Sequence, residues 1–199
     1  MLTAETNRLL ASRSALVLGA SAGAVDALSL LLPGVPEASR IPVVVVVHLP
    51  PNRPSLLPEL FTARCAARVR EPEDKEPVSG GIWFAPSNYH LLIERDRTFS
   101  LSVDEPVNFS RPSIDVLFES AAECFGDELC AIVLTGANDD GAFGASAVRQ
   151  AGGLVIVQDP HTAEAKQMPQ AAISRAKPQI VASLSEIADF IHQATKAAP

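Results

Sequence analysis

Short apolar runs along this chain end abruptly in glycine, proline or polar residues. Between most of them lie longer stretches with apolar positions at helical spacing. The first run, Ala15 to Leu18, closes on Gly19-Ala20-Ser21-Ala22-Gly23. A helical pattern follows over Ala22 to Leu32, through Val25, Leu28 and Leu31, and Pro33-Gly34 stops it. Ile41 to Val47 is a continuous β-branched run, the mark of a strand covered on both faces, and it ends at His48-Leu49-Pro50-Pro51. A helix is expected from Ser55 to Ala66, with Pro54 and Pro58 at or just inside its first turn, where a missing amide costs little. Ala67 to Arg70 reads as a short strand.

Glu71 to Gly81 is charged and turn-rich. The β-like runs Ile82 to Ala85, Leu91 to Glu94 and Phe99 to Val103 follow, too close together for crossover helices. They are expected to form antiparallel hairpins beside the main sheet. After a loop over Asp104 to Pro112, the pattern predicts a helix over Ser113 to Phe125 and a buried strand over Leu129 to Leu134. The polar turn Thr135 to Gly141 leads into a helix ending near Ala151. A strand over Leu154 to Val157, a loop over Gln158 to Met168, a helix over Gln170 to Ala176 and a strand over Gln179 to Val181 complete the alternation. Ser183 or Ser185 opens a last helix to Ala194. This order predicts an α/β fold: a doubly wound, mainly parallel sheet with helices on both faces and an antiparallel hairpin appendage. It is one domain over residues 14–195, after a lead-in over 1–13.

Composition narrows the function. The chain has 199 residues, 47% of them hydrophobic, enough for one sizeable core. Its longest apolar run is far shorter than a membrane span, and Met1 to Ser12 lacks a signal-peptide layout, so a cytoplasmic protein is expected. A net charge of −7 without a basic stripe argues against nucleic acid or a membrane as partner. Cys65, Cys124 and Cys130 have no metal-ligand spacing, and no metal or cofactor is expected.

Three strand ends carry candidate chemistry. In a parallel sheet all carboxyl ends lie on one edge, so Ser21, His48 and the turn holding Asp139 and Asp140 can converge there. The letters around Ser21 match the G-x-S-x-G nucleophile elbow, although the serine could equally be a helix cap or part of a phosphate cradle. A serine needs a base, imidazole is the usual one, and a carboxylate then fixes its tautomer. Spacing alone does not separate Asp139 from Asp140. His161 and His192 carry no signal, and His90 follows a turn.

The segments L-G-A-S-A-G, V-V-V-H-L-P-P, F-A-P-S-N-Y-H-L, R-P-S-I-D-V-L-F and V-L-T-G-A-N-D-D-G-A occur in that order. Together they resemble the catalytic domain of CheB-type receptor protein-glutamate methylesterases, over Ser14 to His192. The resemblance implies hydrolysis of γ-glutamyl methyl esters on chemoreceptors with release of methanol, and in many members deamidation of receptor glutamines. It implies Ser21 as nucleophile, His48 as general base and Asp140 as the acidic member, with oxyanion amides near Ala22 and Ala137. Arg111, Pro112, Ser113 and Asp115 match a family motif beside the site. Two departures touch the oxyanion region: Ala24 stands where a glycine is usual, and G-A-N-D-D-G replaces G-M-G-x-D-G, bringing in Ala137 and Asn138. The receiver domain that often precedes this domain has no counterpart in the residues before strand one, so a stand-alone member or a fragment is expected. The competing readings are a dinucleotide-binding protein, which the absence of G-x-G-x-x-G disfavours, a non-catalytic interaction module, and an esterase acting on another substrate.

Overall fold

The computed structural model describes residues 13–49 and 54–196. Pro50 and Pro51 lie outside the described residues, as does all of the lead-in except Arg13. The strands are β1 (Ala15–Ala20), β2 (Pro42–Val47), β3 (Val69–Arg70), β4 (Gly81–Phe84), β5 (His90–Ile93), β6 (Phe99–Ser102), β7 (Leu129–Val133), β8 (Leu154–Gln158) and β9 (Ile180–Ala182). The α-helices are α1 (Ala24–Leu31), α2 (Leu57–Thr62), α3 (Ile114–Phe125), α4 (Ala142–Gln150), α5 (Gln167–Ala176) and α6 (Leu184–Thr195). Single 3₁₀ turns follow α1 and α3.

Seven strands form one sheet in the order β3-β4-β2-β1-β7-β8-β9, with every pair parallel. β1 and β2 are buried along their whole length, as strands sandwiched between helical layers must be. Side-chain alternation sends Leu16, Leu18, Val43 and Val45 to one core with Leu28, Phe61, Ile187 and Phe190. Ala15, Val17, Val44 and Val46 enter a second core with Ile114, Leu117, Phe118, Val148 and Ala172. Thus α1, α2 and α6 cover one face, and α3, α4 and α5 cover the other. Ser183 opens α6 with a reciprocal capping box to Glu186, which decides between the two candidate serines.

Two expectations are corrected. Ile82 to Ala85 was expected in an antiparallel hairpin, but β4 lies inside the main sheet, parallel to both β2 and β3. Only β5 and β6 form the hairpin. No helix is needed between β3 and β4 because residues 71–80 run along the hairpin instead. The Val78 amide donates to Arg97 O at 2.8 Å, Lys75 N to Phe99 O at 2.8 Å, and Phe99 N to Glu76 O at 2.8 Å. Gly81–Phe84 is buried along its whole length, as a strand inside a covered sheet must be. α2 is also shorter than the expected Ser55 to Ala66.

Two glycines set the edge where the candidate residues meet. A Cβ on Gly19 would stand 2.3 Å from Ile114 Cγ2, so glycine lets the first residue of α3 settle onto β1. Gly141, with φ +89°, turns the chain into α4, and a Cβ there would stand 2.8 Å from the same Ile114 methyl. The N-terminus of α3 is thereby pressed against the carboxyl ends of β1 and β7.

Candidate active site

Ser21 follows the last residue of β1. Its amide donates to Thr135 O at 2.9 Å, while Thr135 Oγ1 donates to Ala22 O at 2.8 Å and accepts from the Ala165 amide at 2.9 Å. The turn carrying Ser21 is thus tied to the end of β7. His48 follows the last residue of β2, and its amide donates to Ala20 O at 3.2 Å. Because Ala20 pairs with Val47, Ser21 and His48 are the residues that leave the neighbouring ends of β1 and β2.

His48 Nε2 donates to Asp140 Oδ2 at 2.7 Å. Asp140 is wholly buried, yet it is surrounded by donors. Ile114 N reaches Oδ2 at 2.7 Å. Oδ1 accepts from Ser113 Oγ at 2.9 Å, Asn108 Nδ2 at 3.0 Å and the Asp115 amide at 3.2 Å. The carboxylate therefore sits at the N-terminus of α3, where orphan amides and the helix dipole favour negative charge. Burial alone would raise its pKa. The hydrogen bonds from His48, Asn108 and Ile114 outweigh that and hold it at about 2. Asp140 is ionised at neutral pH and fixes the imidazole with its proton on Nε2.

Nδ1 is left as the acceptor nitrogen. This is the reverse of the common serine-protease arrangement, in which Nδ1 faces the carboxylate. Asn138 Nδ2 stands 3.5 Å from Nδ1, and Asn138 Oδ1 accepts from the Asp140 amide at 3.3 Å. Among the described residues no hydrogen bond joins the Ser21 hydroxyl to His48. The Ala22 and Ala137 amides, expected as oxyanion donors, have no protein acceptor among the described residues, and both residues are exposed.

Asp139 does not reach His48. It is exposed, on the far side of the turn with Arg175. His90 is also placed: Nε2 donates to Glu105 O at 3.1 Å and Nδ1 accepts from the Ser113 amide at 3.2 Å. With both ring nitrogens engaged and the side chain buried, His90 braces the start of α3. Arg111 lines the cleft beside His48, but its Nη1 donates to Val103 O at 2.7 Å and Asp104 O at 2.9 Å, which shapes the loop.

That cleft has a volume of about 190 Å³ and is lined in part by His48, Leu49, Asn88, Phe109 and Pro112. Phe109, on its rim, is fully exposed. A larger groove of about 710 Å³, between the hairpin and α3, contains none of the candidate residues. Among the described residues no group of three or more His, Cys, Asp or Glu side chains is placed to hold a metal. Nor is any helix there long and apolar enough to cross a membrane.

Residues 16–191 match the family model for the CheB methylesterase domain. The chain belongs to the CheB methylesterase family. A protein of Leptospira interrogans, provisionally named protein-glutamate methylesterase/protein-glutamine glutaminase, is 47% identical over 177 residues, covering 88% of this chain and 92% of that protein. A protein-glutamate methylesterase/protein-glutamine glutaminase of Trichodesmium erythraeum is 34% identical over 179 residues, and the match spans 51% of its length. The crystal structure of the Thermotoga maritima CheB methylesterase catalytic domain superposes with a TM-score of 0.86 at 30% identity, covering 91% of this chain and 98% of that one.

Within this CheB methylesterase domain, reasoning from the sequence missed Asn108 and Thr135. Asn108 lies in an irregular loop and reaches Asp140 through a left-handed backbone, φ +50°, which no periodicity announces. Asn and Asp are the residues that tolerate that conformation best, which is the one sequence signal available.

Proposed function

We propose that this chain hydrolyses γ-glutamyl methyl esters on protein side chains, releasing methanol, and that the same site deamidates glutamine side chains. The observation that carries the reading is the bond from His48 to the buried, ionised Asp140, at the strand edge where β1 leads into Ser21 and β2 into His48. The names of the relatives supply the substrate class. Chemoreceptors, the proteins that CheB-type enzymes demethylate, are the proposed substrates.

In the proposed cycle His48 Nδ1 takes the proton of Ser21 as Oγ attacks the γ-carbonyl carbon. Asp140 stabilises the imidazolium without taking a proton itself. Its five donors keep it ionised throughout. The oxyanion is received by the Ala22 and Ala137 amides, which no protein acceptor occupies among the described residues. The imidazolium returns its proton to the leaving oxygen, and methanol departs. Water then attacks the glutamyl ester of Ser21, with His48 again as base, and the γ-carboxylate product leaves a free hydroxyl.

The direct test is methanol release from methylated chemoreceptor membranes, wild type beside Ser21→Ala. Release that depends on Ser21 supports the reading. Release unaffected by Ser21→Ala, or none from the wild type, removes it.

A further inference from the structure

Asn138 has a fixed orientation that the cycle above leaves unused. Its Oδ1 accepts from the Asp140 amide at 3.3 Å, two residues along the turn. This is an Asx-type bond, and it settles which end of the side-chain amide faces outward. Nδ2, the donor end, therefore faces His48 Nδ1 at 3.5 Å. Nδ1 is the nitrogen that must return a proton to the leaving group, because Nε2 is held by Asp140. A leaving atom that approaches Nδ1 to about 3 Å from the side on which Asn138 stands comes beside the Asn138 donor as well.

Resting on the proposed function, we infer that Asn138 selects esters over amides by donating a hydrogen bond to the leaving oxygen. The chemistry is a count of lone pairs. A methoxy oxygen has two, so it accepts the proton from His48 and a second hydrogen bond from Asn138 Nδ2. The leaving nitrogen of a glutamine side chain has one lone pair, which the His48 proton takes. Its own N–H groups then face the Asn138 N–H, donor against donor. Asn138 thus strengthens in the transition state for methanol departure and has no matching partner in the departure of ammonia. No bond of the reaction changes: the proton still moves from Nδ1 to the leaving atom.

The test uses one peptide sequence carrying either γ-methyl glutamate or glutamine at the same position, with kcat/KM measured for each. Asn138→Ser keeps an acceptor for the Asp140 amide and withdraws the donor, because its hydroxyl hangs on Cβ and ends one bond short of the reach of Nδ2. Asn138→Ala removes both. The expected result is that the ester-to-amide ratio of kcat/KM falls about tenfold in Asn138→Ser, the worth of one hydrogen bond in the transition state. Where the wild type turns over glutamine too slowly to measure, p-nitrophenyl acetate is the reference, since its leaving group departs without a donor. The methyl ester must then lose about tenfold relative to it.

An unchanged ratio in Asn138→Ser, with both rates lowered together, overturns the inference and leaves Asn138 a turn residue. Failure of the wild type to hydrolyse the methyl ester peptide while it cleaves p-nitrophenyl acetate overturns the proposed substrate class, and this inference with it. The two failures are therefore distinct.

Discussion

Asp140 and Asp115, both buried, share a single donor group. Asn108 Nδ2 lies 3.0 Å from Asp140 Oδ1 and 2.9 Å from Asp115 Oδ2. Asp115 also accepts from the Gly144 amide at 2.7 Å, which joins the start of α3 to α4. The two carboxylates respond to their surroundings in opposite senses. Asp140 is held at about 2, whereas burial pushes Asp115 up to about 6, helped by the charge on Asp140.

The opposite shifts predict a pH signature in stability. Asp140 contributes stability that is complete above the ordinary carboxylate value and lost as pH falls toward 2. Asp115 contributes stability that is complete below the ordinary value and lost as pH rises through about 6. The contribution of the pair therefore peaks near pH 4 and declines toward neutrality, by roughly 2 kcal/mol for Asp115. Urea unfolding of the wild type and Asp115→Asn between pH 4 and 7 checks this. The wild type is expected to lose stability across that window relative to the variant, and parallel curves would contradict it.

Asn108→Ala removes the shared donor from two buried carboxylates. It is expected to destabilise the protein by about 1–3 kcal/mol and to lower esterase activity roughly five- to tenfold, since the bond from His48 to Oδ2 survives. Asn108→Asp, which adds a third carboxylate, is expected to be worse on both counts. Chemical denaturation and kcat measured together check the prediction. A rate loss without any stability loss would contradict the shared-donor role.

Asp140→Asn is expected to lower kcat by about 10⁴-fold, because an amide in that position turns the imidazole to the wrong tautomer. Asp139→Asn alters an exposed side chain and is expected to stay within about twofold of wild type. The reverse ranking in a steady-state assay would mean that the other carboxylate serves the histidine.

Gly19→Ala drives a methyl group into Ile114, with an expected cost of about 1–3 kcal/mol and a lowered rate as the start of α3 shifts. Ile114→Ala in the same chain removes the clashing atoms. A double-mutant cycle should therefore show strong coupling between the two positions, and additive losses would contradict the contact.

Much of this was legible in the residues. The β-branched run before His48 and the apolar run before Ser21 announced two buried parallel strands, and parallel strands share a carboxyl edge. What failed was local context. Ile82 to Ala85 resembled the hairpin runs beside it, because the link over residues 71–80 is held by the hairpin backbone and carries no helical pattern. Asp139 and Asp140 are identical in type and adjacent. Spacing does not separate them; the family resemblance points to Asp140, and the structure buries Asp140 and leaves Asp139 exposed. Asn108 acts through loop geometry, which hydrophobic periodicity does not encode.

The central claim is that His48 activates the Ser21 hydroxyl. A fluorophosphonate reacts with an activated serine, and peptide mass mapping locates the adduct. Labelling at Ser21 in the wild type, lost in His48→Ala although Ser21 is still present, is the predicted result. Equal labelling of Ser21 in His48→Ala, or an adduct on a different residue, would contradict it.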